Sequence, residues 1–319
     1  MEPQMPSNEE KPLKSAGIFL FAIAVIALAI AVASIIGTTP NQGQTASIST
    51  PLNYFTDIKI KGKAAIVIDI STGKTLYEKN SDTPLPLASL TKVALALVVA
   101  EAVPQEAIII IPYYARGSNG NAHLSKGEKW RVQDVIDFTL VTSSNAGAKI
   151  LAESVDKTIR ERYPEFPAGS ATLSRMNEFV KELGLQYTYF LNVSGLDIST
   201  TQAGSYGSAR DMAALFAYAA SAESSLFSGT AQNGVLLASA DGKGIVTAPN
   251  TNNVQGAIPG LIMGKTGLTD LAGGNLVVVF DVGLAHPVVA VVLGSTEYGR
   301  FEDMQNLVIA TQKSIMKVE

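Results

Sequence analysis

Three short segments of the chain contain residues that together could activate a serine hydroxyl. They are Ser89-Leu90-Thr91-Lys92 (SxxK), Ser143-Ser144-Asn145 (SxN) and Lys265-Thr266-Gly267 (KTG). Each pattern alone is close to chance, although SxN and KTG each occur only once in the chain. A protonated hydroxyl is a poor nucleophile and needs a base beside it, and the first segment offers a lysine for that role. The three patterns in this order therefore indicate a nucleophilic serine served by a lysine.

The SxxK at Ser89 has a context that the other matches to the pattern lack. Those other matches are Ser71/Lys74, Ser154/Lys157 and Ser314/Lys317. Only Ser89 begins a segment, Ser89–Ala102, whose apolar positions run nearly all round and predict a buried helix that Ser89 can cap. Residues three apart share a helix face, so the Lys92 amine can reach the Ser89 hydroxyl. We therefore predict that Ser89 is the nucleophile and Lys92 its base.

The composition excludes several other kinds of site. The chain has no cysteine and only two histidines, His123 and His286, so it can form neither a disulfide framework nor a thiolate metal site. No HExxH spacing exists, and no GxSxG elbow accompanies either histidine. The net charge of −4 without a basic stripe gives no support to nucleic-acid binding. We expect no metal, no other cofactor and no nucleic-acid partner.

The N-terminal part of the chain reads as a membrane anchor. Ala16–Gly37 has no charged residue and, as a helix, is long enough to cross a hydrocarbon core of about 30 Å. Lys11 and Lys14 precede it, which predicts a cytoplasmic N-terminus. A signal peptide cleaved after Ala33 is the alternative, but the apolar stretch is longer than the usual h-region of about 7–15 residues. We expect a cytoplasmic segment at 1–15, a transmembrane signal-anchor helix at 16–37, a flexible linker at 38–56 and an extracytoplasmic catalytic domain at 57–319.

The exported part has strand patterns at both ends and helix patterns between them. The predicted strands are Ala64–Ile70, Lys74–Glu78, Gly274–Val282 and Pro287–Leu293. The predicted helical segments are Ser89–Ala102, Arg131–Val155 with a break around Thr142–Asn145, Ala171–Leu183, Ser208–Ala220 and Gly299–Val318. This order predicts an α+β fold in which an antiparallel sheet is formed from both ends of the domain and holds a helical insertion.

Together the motifs resemble those of the low-molecular-mass penicillin-binding proteins, the D-alanyl-D-alanine carboxypeptidase family of the serine β-lactamase and penicillin-binding superfamily. The resemblance runs from about Ala64 to Leu307. It also includes Met176-Asn177, Leu183-Gly184, Ser194–Asp197, Ser208–Asp211, Asn250–Asn252 and Gly264–Asn275. One departure is Leu268, since many members have histidine after the KTG. The resemblance implies a three-layer α/β/α domain of the β-lactamase/transpeptidase type.

The resemblance also assigns roles to individual residues. It implies that the catalytic residues are Ser89, Lys92, Ser143 and Asn145. It implies that the substrate-binding residues are Lys265, Thr266, Gly267 and Leu268. Backbone N–H groups of Ser89 and Leu268 would form the oxyanion hole, and Ser143 would relay a proton to the leaving D-alanine. A free lysine has a pKa of about 10.4, and we expect burial and the nearby Lys265 ammonium to favour neutral Lys92.

The implied activity is a D-Ala-D-Ala carboxypeptidase that removes the terminal D-alanine of peptidoglycan stem peptides and is acylated by β-lactams. Its expected location is the bacterial cell membrane, as a single-pass protein. A D,D-endopeptidase that cuts cross-links would use the same residues. A β-lactamase is less favoured because Glu161, Glu165 and Glu178 lack the context of the glutamate that activates the deacylating water in class A enzymes. A catalytically inactive wall-binding scaffold is disfavoured by the intact motifs.

Overall fold

Residues 54–112 and 124–316, which the computed structural model describes, have strands at both ends and helices between them. The strands of this part are β1 (Ala64–Asp69), β2 (Thr75–Lys79), β3 (Leu85–Pro86), β4 (Ile108–Ile110), β5 (Lys129–Arg131), β6 (Tyr189–Phe190), β7 (Ser205–Gly207), β8 (Gly234–Ala238), β9 (Ile245–Pro249), β10 (Leu261–Thr269), β11 (Gly273–Asp281) and β12 (Pro287–Ser295). The α-helices are α1 (Thr91–Ala102), α2 (Val132–Val141), α3 (Asn145–Arg162), α4 (Ala171–Glu182), α5 (Ala209–Ala222) and α6 (Gly299–Met316). Short 3-10 helices cover Ala88–Leu90, Ser224–Ala231 and Gln255–Ala257.

The two ends of the domain meet in one antiparallel sheet. Its strand order is β10-β11-β12-β1-β2, so the first strand lies beside the last. The register places Ala64 opposite Leu293 and Asp69 opposite Val288. The remaining strands form small sheets of two or three strands within the helical part. The predicted antiparallel sheet with a helical insertion is confirmed.

Both faces of this sheet are apolar, and helices cover both. Val277 and Val279 of β11 point into a core shared with α1 and α5. Leu276 and Phe280 of the same strand point to the opposite face, where they join a second core with α6. A sheet whose strands read as continuous apolar runs must be covered on both sides, and this gives the three layers expected from the resemblance.

The helix that follows Ser89 starts two residues later than predicted. Ser89 lies in the 3-10 turn Ala88–Leu90, and α1 begins at Thr91 with Leu90 as its N-cap residue. The prediction that Ser89 caps the helix is therefore wrong, since no side-chain cap bond is present there. The Ser89 hydroxyl is therefore not used to cap the helix and can make a contact elsewhere. The turn contains Ala88 with φ of +50°, which is uncommon for a non-glycine residue.

The predicted break in the long helical segment separates two helices. α2 ends at Val141 and α3 begins at Asn145. Ser144 caps α3, because its side-chain oxygen accepts a hydrogen bond from the Gly147 N–H at 2.7 Å. α3 extends to Arg162, seven residues beyond the predicted end at Val155.

The KTG motif lies within a strand that the sequence did not predict. Lys265 pairs with Val277, and Gly267 pairs with Asn275, in the β10–β11 ladder. β10 forms one edge of the sheet. Its sequence Gly264–Thr269 contains two glycines and few apolar residues, so it lacks the alternation that reveals a strand.

The predicted cytoplasmic segment and transmembrane helix lie outside the described residues, as does the linker up to residue 53. Phe55, in the last part of the predicted linker, is buried and stacks on Tyr77 with ring centroids 5.6 Å apart. Within residues 54–112 and 124–316, no helix combines the length and the apolar character that a membrane span requires.

A buried carboxylate fastens α6 to the sheet and to the chain before β1. Asp303 is 1% exposed and accepts hydrogen bonds from the backbone N–H groups of Lys61 at 2.8 Å and Gly62 at 2.9 Å. It also accepts one from the Ser295 hydroxyl at 2.7 Å. The neighbouring Glu302 is exposed and pairs only with the Lys61 side chain among the described residues.

We predict that Asp303→Ala lowers the free energy of unfolding by about 3 kcal/mol or more, because it leaves three donors without an acceptor, two of them buried. The matched control Glu302→Ala should change it far less, as expected for an exposed ion pair. Urea denaturation of both variants measures the difference. Equal stability of the two variants would contradict the role given to Asp303.

Candidate active site

Lys92 is the centre of the first half of the site. Its side chain is 0% exposed, and its Nζ lies 2.7 Å from Ser89 Oγ, within hydrogen-bond distance. The same Nζ lies 2.8 Å from Asn145 Oδ1 and 2.7 Å from the Ser194 carbonyl oxygen. The structure thus brings Ser89, Lys92 and Asn145 together as the motifs predicted, and adds Ser194, which the sequence did not assign to the site.

The chemistry of these three neighbours fixes the direction of the lysine lone pair. An amide oxygen and a backbone carbonyl oxygen can only accept hydrogen bonds. A neutral amine has two protons, and in this geometry both go to Asn145 Oδ1 and the Ser194 carbonyl. The lone pair then points at the Ser89 hydroxyl, which is the one neighbour able to donate. The arrangement suits a general base, given that the base lies within hydrogen-bond reach of the proton that it takes.

Burial makes the neutral form of Lys92 accessible near neutral pH. Removal of the ammonium from water lowers the pKa of Lys92 to about 7. The sequence had also suggested that the charge of Lys265 would lower this pKa. The pKa of Lys265 is held well below its ordinary value first by burial, then by the positive charges of Lys92 and Arg300. Because repulsion between two charges is mutual, the effect of Lys265 on Lys92 remains a prediction.

The second half of the site joins the SxN and KTG segments. Lys265 is 1% exposed, and its Nζ donates to Ser143 Oγ at 2.9 Å and to the Thr266 carbonyl at 2.9 Å. Thr266 Oγ1 lies 2.6 Å from Thr251 Oγ1. Ser143 has φ of +60°, a sparsely populated conformation for serine that turns its side chain out of the α2–α3 connection.

Close backbone contacts hold Ser89 against β10. A Cβ atom at Gly267 would lie 2.8 Å from the Leu87 carbonyl oxygen, and one at Gly195 would lie 1.8 Å from the Ala88 carbonyl oxygen. Only glycine permits these approaches. Ala88, the residue before Ser89, is thereby fixed between the KTG strand and the loop that contains Ser194. Leu268 follows on the strand with 44% of its surface exposed.

Two further residues support the site, and no motif in the sequence marks them. Arg300 at the start of α6 is buried and donates to the Gly267 carbonyl at 2.7 Å. Asn275 of β11 donates to the Leu87 carbonyl at 3.0 Å and accepts from the Gly294 N–H at 2.8 Å. Asn275 is the last residue of Gly264–Asn275, one of the segments that carry the family resemblance. Arg300 lies near the end of the whole stretch that resembles the family, which runs to about Leu307.

The site contains three buried basic side chains, Lys92, Lys265 and Arg300, and of these Arg300 feels the negative charge of Glu297. In the part of the chain that the structure describes, no Asp or Glu oxygen forms an ion pair with Lys92, Lys265 or Arg300. Unpaired buried cations are costly and favour binding of an anion. The described part of the chain also contains no group of three or more His, Cys, Asp or Glu side chains that could hold a metal ion.

The other candidates of the sequence lie elsewhere. Ser71 lies in an exposed turn, and Ser154 donates to the Leu151 carbonyl within α3. His286 Nε2 is 2.9 Å from Asp69 Oδ2 in a contact that includes neither Ser89 nor Lys92. His123 is outside the described residues.

A serine within hydrogen-bond distance of a buried lysine, with a second serine–lysine contact on the adjoining segments, is the geometry of a serine hydrolase class of site. The profile of the peptidase S11 family, described as D-alanyl-D-alanine carboxypeptidase, matches residues 47–297. The chain therefore belongs to the D-alanyl-D-alanine carboxypeptidase family.

Comparisons with individual proteins agree with this family. The D-alanyl-D-alanine carboxypeptidase DacF of Bacillus subtilis is 32% identical over 216 residues, which is 66% of this chain and 51% of DacF. The chain thus spans about half the length of this relative. A D-alanyl-D-alanine endopeptidase of Pseudomonas aeruginosa is 26% identical over 183 residues, 56% of this chain and 53% of that protein. Penicillin-binding protein D2 of Listeria monocytogenes, whose structure was solved with ampicillin bound, is 26% identical to this chain and superimposes with a TM-score of 0.67. The matched region covers 80% of this chain and 98% of the Listeria chain.

We predict that Lys92 titrates with a midpoint of about 7 in lysine-selective 13C NMR, being an ammonium below this pH and an amine above it. Lys92→Met should remove this resonance. It should also shift the Lys265 titration to higher pH, because the charge of Lys92 lowers the pKa of Lys265. A Lys92 midpoint above about 9, close to the free value, would show that the side chain is hydrated.

Proposed function

We propose that this chain is a serine D-alanyl-D-alanine carboxypeptidase. It removes the terminal D-alanine from peptidoglycan stem peptides through an acyl-enzyme and is acylated by β-lactams. The observation that carries the proposal is that two serine–lysine contacts, Ser89 with Lys92 and Ser143 with Lys265, lie close enough for the lysine charges to interact. Among the described residues, neither lysine forms an ion pair with a carboxylate. Membership of the family supports the substrate class.

In the acylation step, Ser89 Oγ attacks the carbonyl carbon of the penultimate D-alanine while its proton passes to Lys92 Nζ, 2.7 Å away. The resemblance gives the developing oxyanion to the backbone N–H groups of Ser89 and Leu268, where fixed dipoles stabilise it. Collapse of the tetrahedral intermediate breaks the C–N bond. The leaving nitrogen takes the proton of the Ser143 hydroxyl. The proton that Lys92 took from Ser89 then replaces it on Ser143 Oγ, so that Lys92 is neutral again. Water then hydrolyses the ester with Lys92 as base again.

The terminal carboxylate of the substrate supplies the anion that the site lacks. Lys265 and Thr266 line the position that the resemblance gives to this group, and Arg300 adds positive charge through its contact with the Gly267 carbonyl. A carboxylate beside Lys265 gains charge-assisted hydrogen bonds in a desolvated place. This argues for substrates with a free C-terminal carboxylate, and for β-lactams that carry an equivalent one.

The alternative peptidase activity is cleavage of peptidoglycan cross-links. A D,D-endopeptidase would use the same nucleophile and base, and the Pseudomonas aeruginosa relative is named a D-alanyl-D-alanine endopeptidase. The β-lactamase alternative has less support. Among the described residues no Asp or Glu side chain is hydrogen-bonded to Ser89 or Lys92, and Glu161 instead pairs with Lys157 on the exposed face of α3. Slow release of a penicilloyl group is therefore expected.

We also propose that residues 16–37 anchor the protein in the bacterial cell membrane, and that the linker 38–56 carries the catalytic domain on the extracytoplasmic side. The uncharged apolar stretch and the lysines before it support this arrangement. Mass spectrometry of the mature N-terminus distinguishes an intact anchor from a chain cleaved after Ala33.

We predict that Ser89→Ala abolishes labelling by fluorescent penicillin and lowers D-alanine release by at least about a thousandfold, because no other group can form the acyl-enzyme. The matched control is Ser71→Ala, which changes the serine of another SxxK pattern in an exposed turn and should keep both activities. Labelling that survives Ser89→Ala would show that a different nucleophile reacts.

We predict that the wild-type protein releases D-alanine from a pentapeptide faster than it cleaves a cross-linked dimer, and that its penicilloyl adduct outlasts many substrate turnovers. Chromatography of both peptides and the decay of the fluorescent adduct measure these rates. Faster cleavage of the dimer would establish the endopeptidase instead, and rapid penicillin turnover would establish the β-lactamase.

A further inference from the structure

The Ser194 carbonyl is one of the two acceptors that aim the Lys92 lone pair, and it belongs to neither a helix nor a strand. Residues 191–204 connect β6 to β7 without regular structure. A loop carbonyl needs a separate support if it is to stay within 2.7 Å of an amine. The contacts within this loop therefore determine whether the Ser194 carbonyl stays beside Lys92.

The Asn192 side chain supplies that support. Its Oδ1 accepts hydrogen bonds from the Gly195 N–H at 2.7 Å and from the Ser194 N–H at 3.1 Å. The Ser194 hydroxyl donates to the same oxygen at 3.1 Å. The Nδ2 of Asn192 donates to the Leu196 carbonyl at 2.8 Å. One amide thus fixes the backbone on both sides of the Ser194 carbonyl, in the manner of an Asx turn.

The rest of the loop is fixed to the site at two other points. Gly195 packs against the Ala88 carbonyl, next to the nucleophile. The Asp197 carboxylate accepts from the Thr269 hydroxyl at 3.0 Å and from the Leu271 N–H at 3.1 Å, just after the KTG segment. These contacts set where the loop lies, while the contacts of Asn192 set where the Ser194 carbonyl points.

We propose that Asn192 is a positioning residue for the general base: it aims the Ser194 carbonyl at Lys92 Nζ, and this aims the lysine lone pair at the Ser89 hydroxyl. The proposal rests on the proposed function, since it assigns a residue outside the three motifs to the same acylation step. Asn192 itself touches neither the nucleophile nor the base among the contacts of the described residues.

The first test is Asn192→Ala, followed by β-lactam acylation and D-alanine release between pH 5.5 and 9.5. We expect the acylation rate constant and kcat to fall about 10- to 100-fold, because a small displacement of a catalytic group has this effect. KM should change less than about threefold, since Ser143, Lys265 and Thr266 keep their contacts. Wild-type rates should rise with pH through about 7 as Lys92 loses its proton. In the variant this midpoint should move to higher pH, because water that replaces the carbonyl relieves the burial of the ammonium.

Two further variants separate positioning from stability. Asn192→Asp keeps the acceptor for the Ser194 and Gly195 N–H groups and should recover part of the lost rate. Asn177→Ala is the matched control, since the Asn177 side chain supports Phe190 by donating to its carbonyl at 2.9 Å and accepting from its N–H at 2.8 Å, without contact to Ser194. It should lower the Tm without changing the pH midpoint.

A folded Asn192→Ala with wild-type acylation, kcat and pH midpoint would overturn the proposal. Equal losses of rate and Tm in Asn192→Ala and Asn177→Ala would overturn it as well, because the role would then be general stability. If the wild type neither reacts with penicillin nor releases D-alanine, the proposed function fails first. In that case the NMR titration of Lys92 in wild type and Asn192→Ala still decides the positioning role.

Discussion

The site depends on keeping two lysine side chains out of water with no carboxylate to neutralise them. Lys92 and Lys265 are 0% and 1% exposed, and the described residues offer hydrogen-bond acceptors to both but an ion pair to neither. A salt bridge would stabilise the charged amine and raise its pKa. Neutral acceptors leave the charge poorly stabilised, so the neutral amine with its free lone pair is favoured. In the proposed reaction this amine can take the proton of a serine. The reactivity proposed for the site would therefore be obtained at the expense of stability.

Such an arrangement persists only if the surrounding structure determines it fully. The three motifs come from the turn before α1, the connection between α2 and α3, and the edge strand β10, and no local interaction in the chain would bring them together. The backbone conformations of Ala88 and Ser143, with φ of +50° and +60°, cost free energy that the packed layers must offset. Both strained residues adjoin or form part of the two serine–lysine contacts, which places the strain where the chemistry is proposed to occur.

The sequence could predict the parts of this design that are local. The apolar run after Ser89, the break before Asn145 and the paired strands at each end follow from periodicity and from spacing along the chain. The strand of the KTG motif could not be found in this way, because Lys265, Thr266 and Gly267 are chosen for the site and do not follow the alternating pattern of a strand. Arg300 and Ser194 act through contacts that join residues 33 and 102 positions apart, and such pairs are set by the tertiary structure alone. The third neighbour of Lys92 is the backbone carbonyl of Ser194, and since every residue has such a carbonyl, the sequence cannot indicate this contact.

The two buried lysines also connect substrate recognition with activation of the serine in the proposed reaction. In the free site, burial disfavours the ammonium of both lysines, and a charge on Lys92 further lowers the pKa of Lys265. A carboxylate bound beside Lys265 reverses the balance there, because an opposite charge nearby favours the charged form. A charged Lys265 then makes a second ammonium at Lys92 less favourable, which leaves Lys92 as the neutral base. The group that identifies a substrate as C-terminal would thus also place the proton on the lysine that binds it, and a ligand without that carboxylate would lose rate as well as affinity.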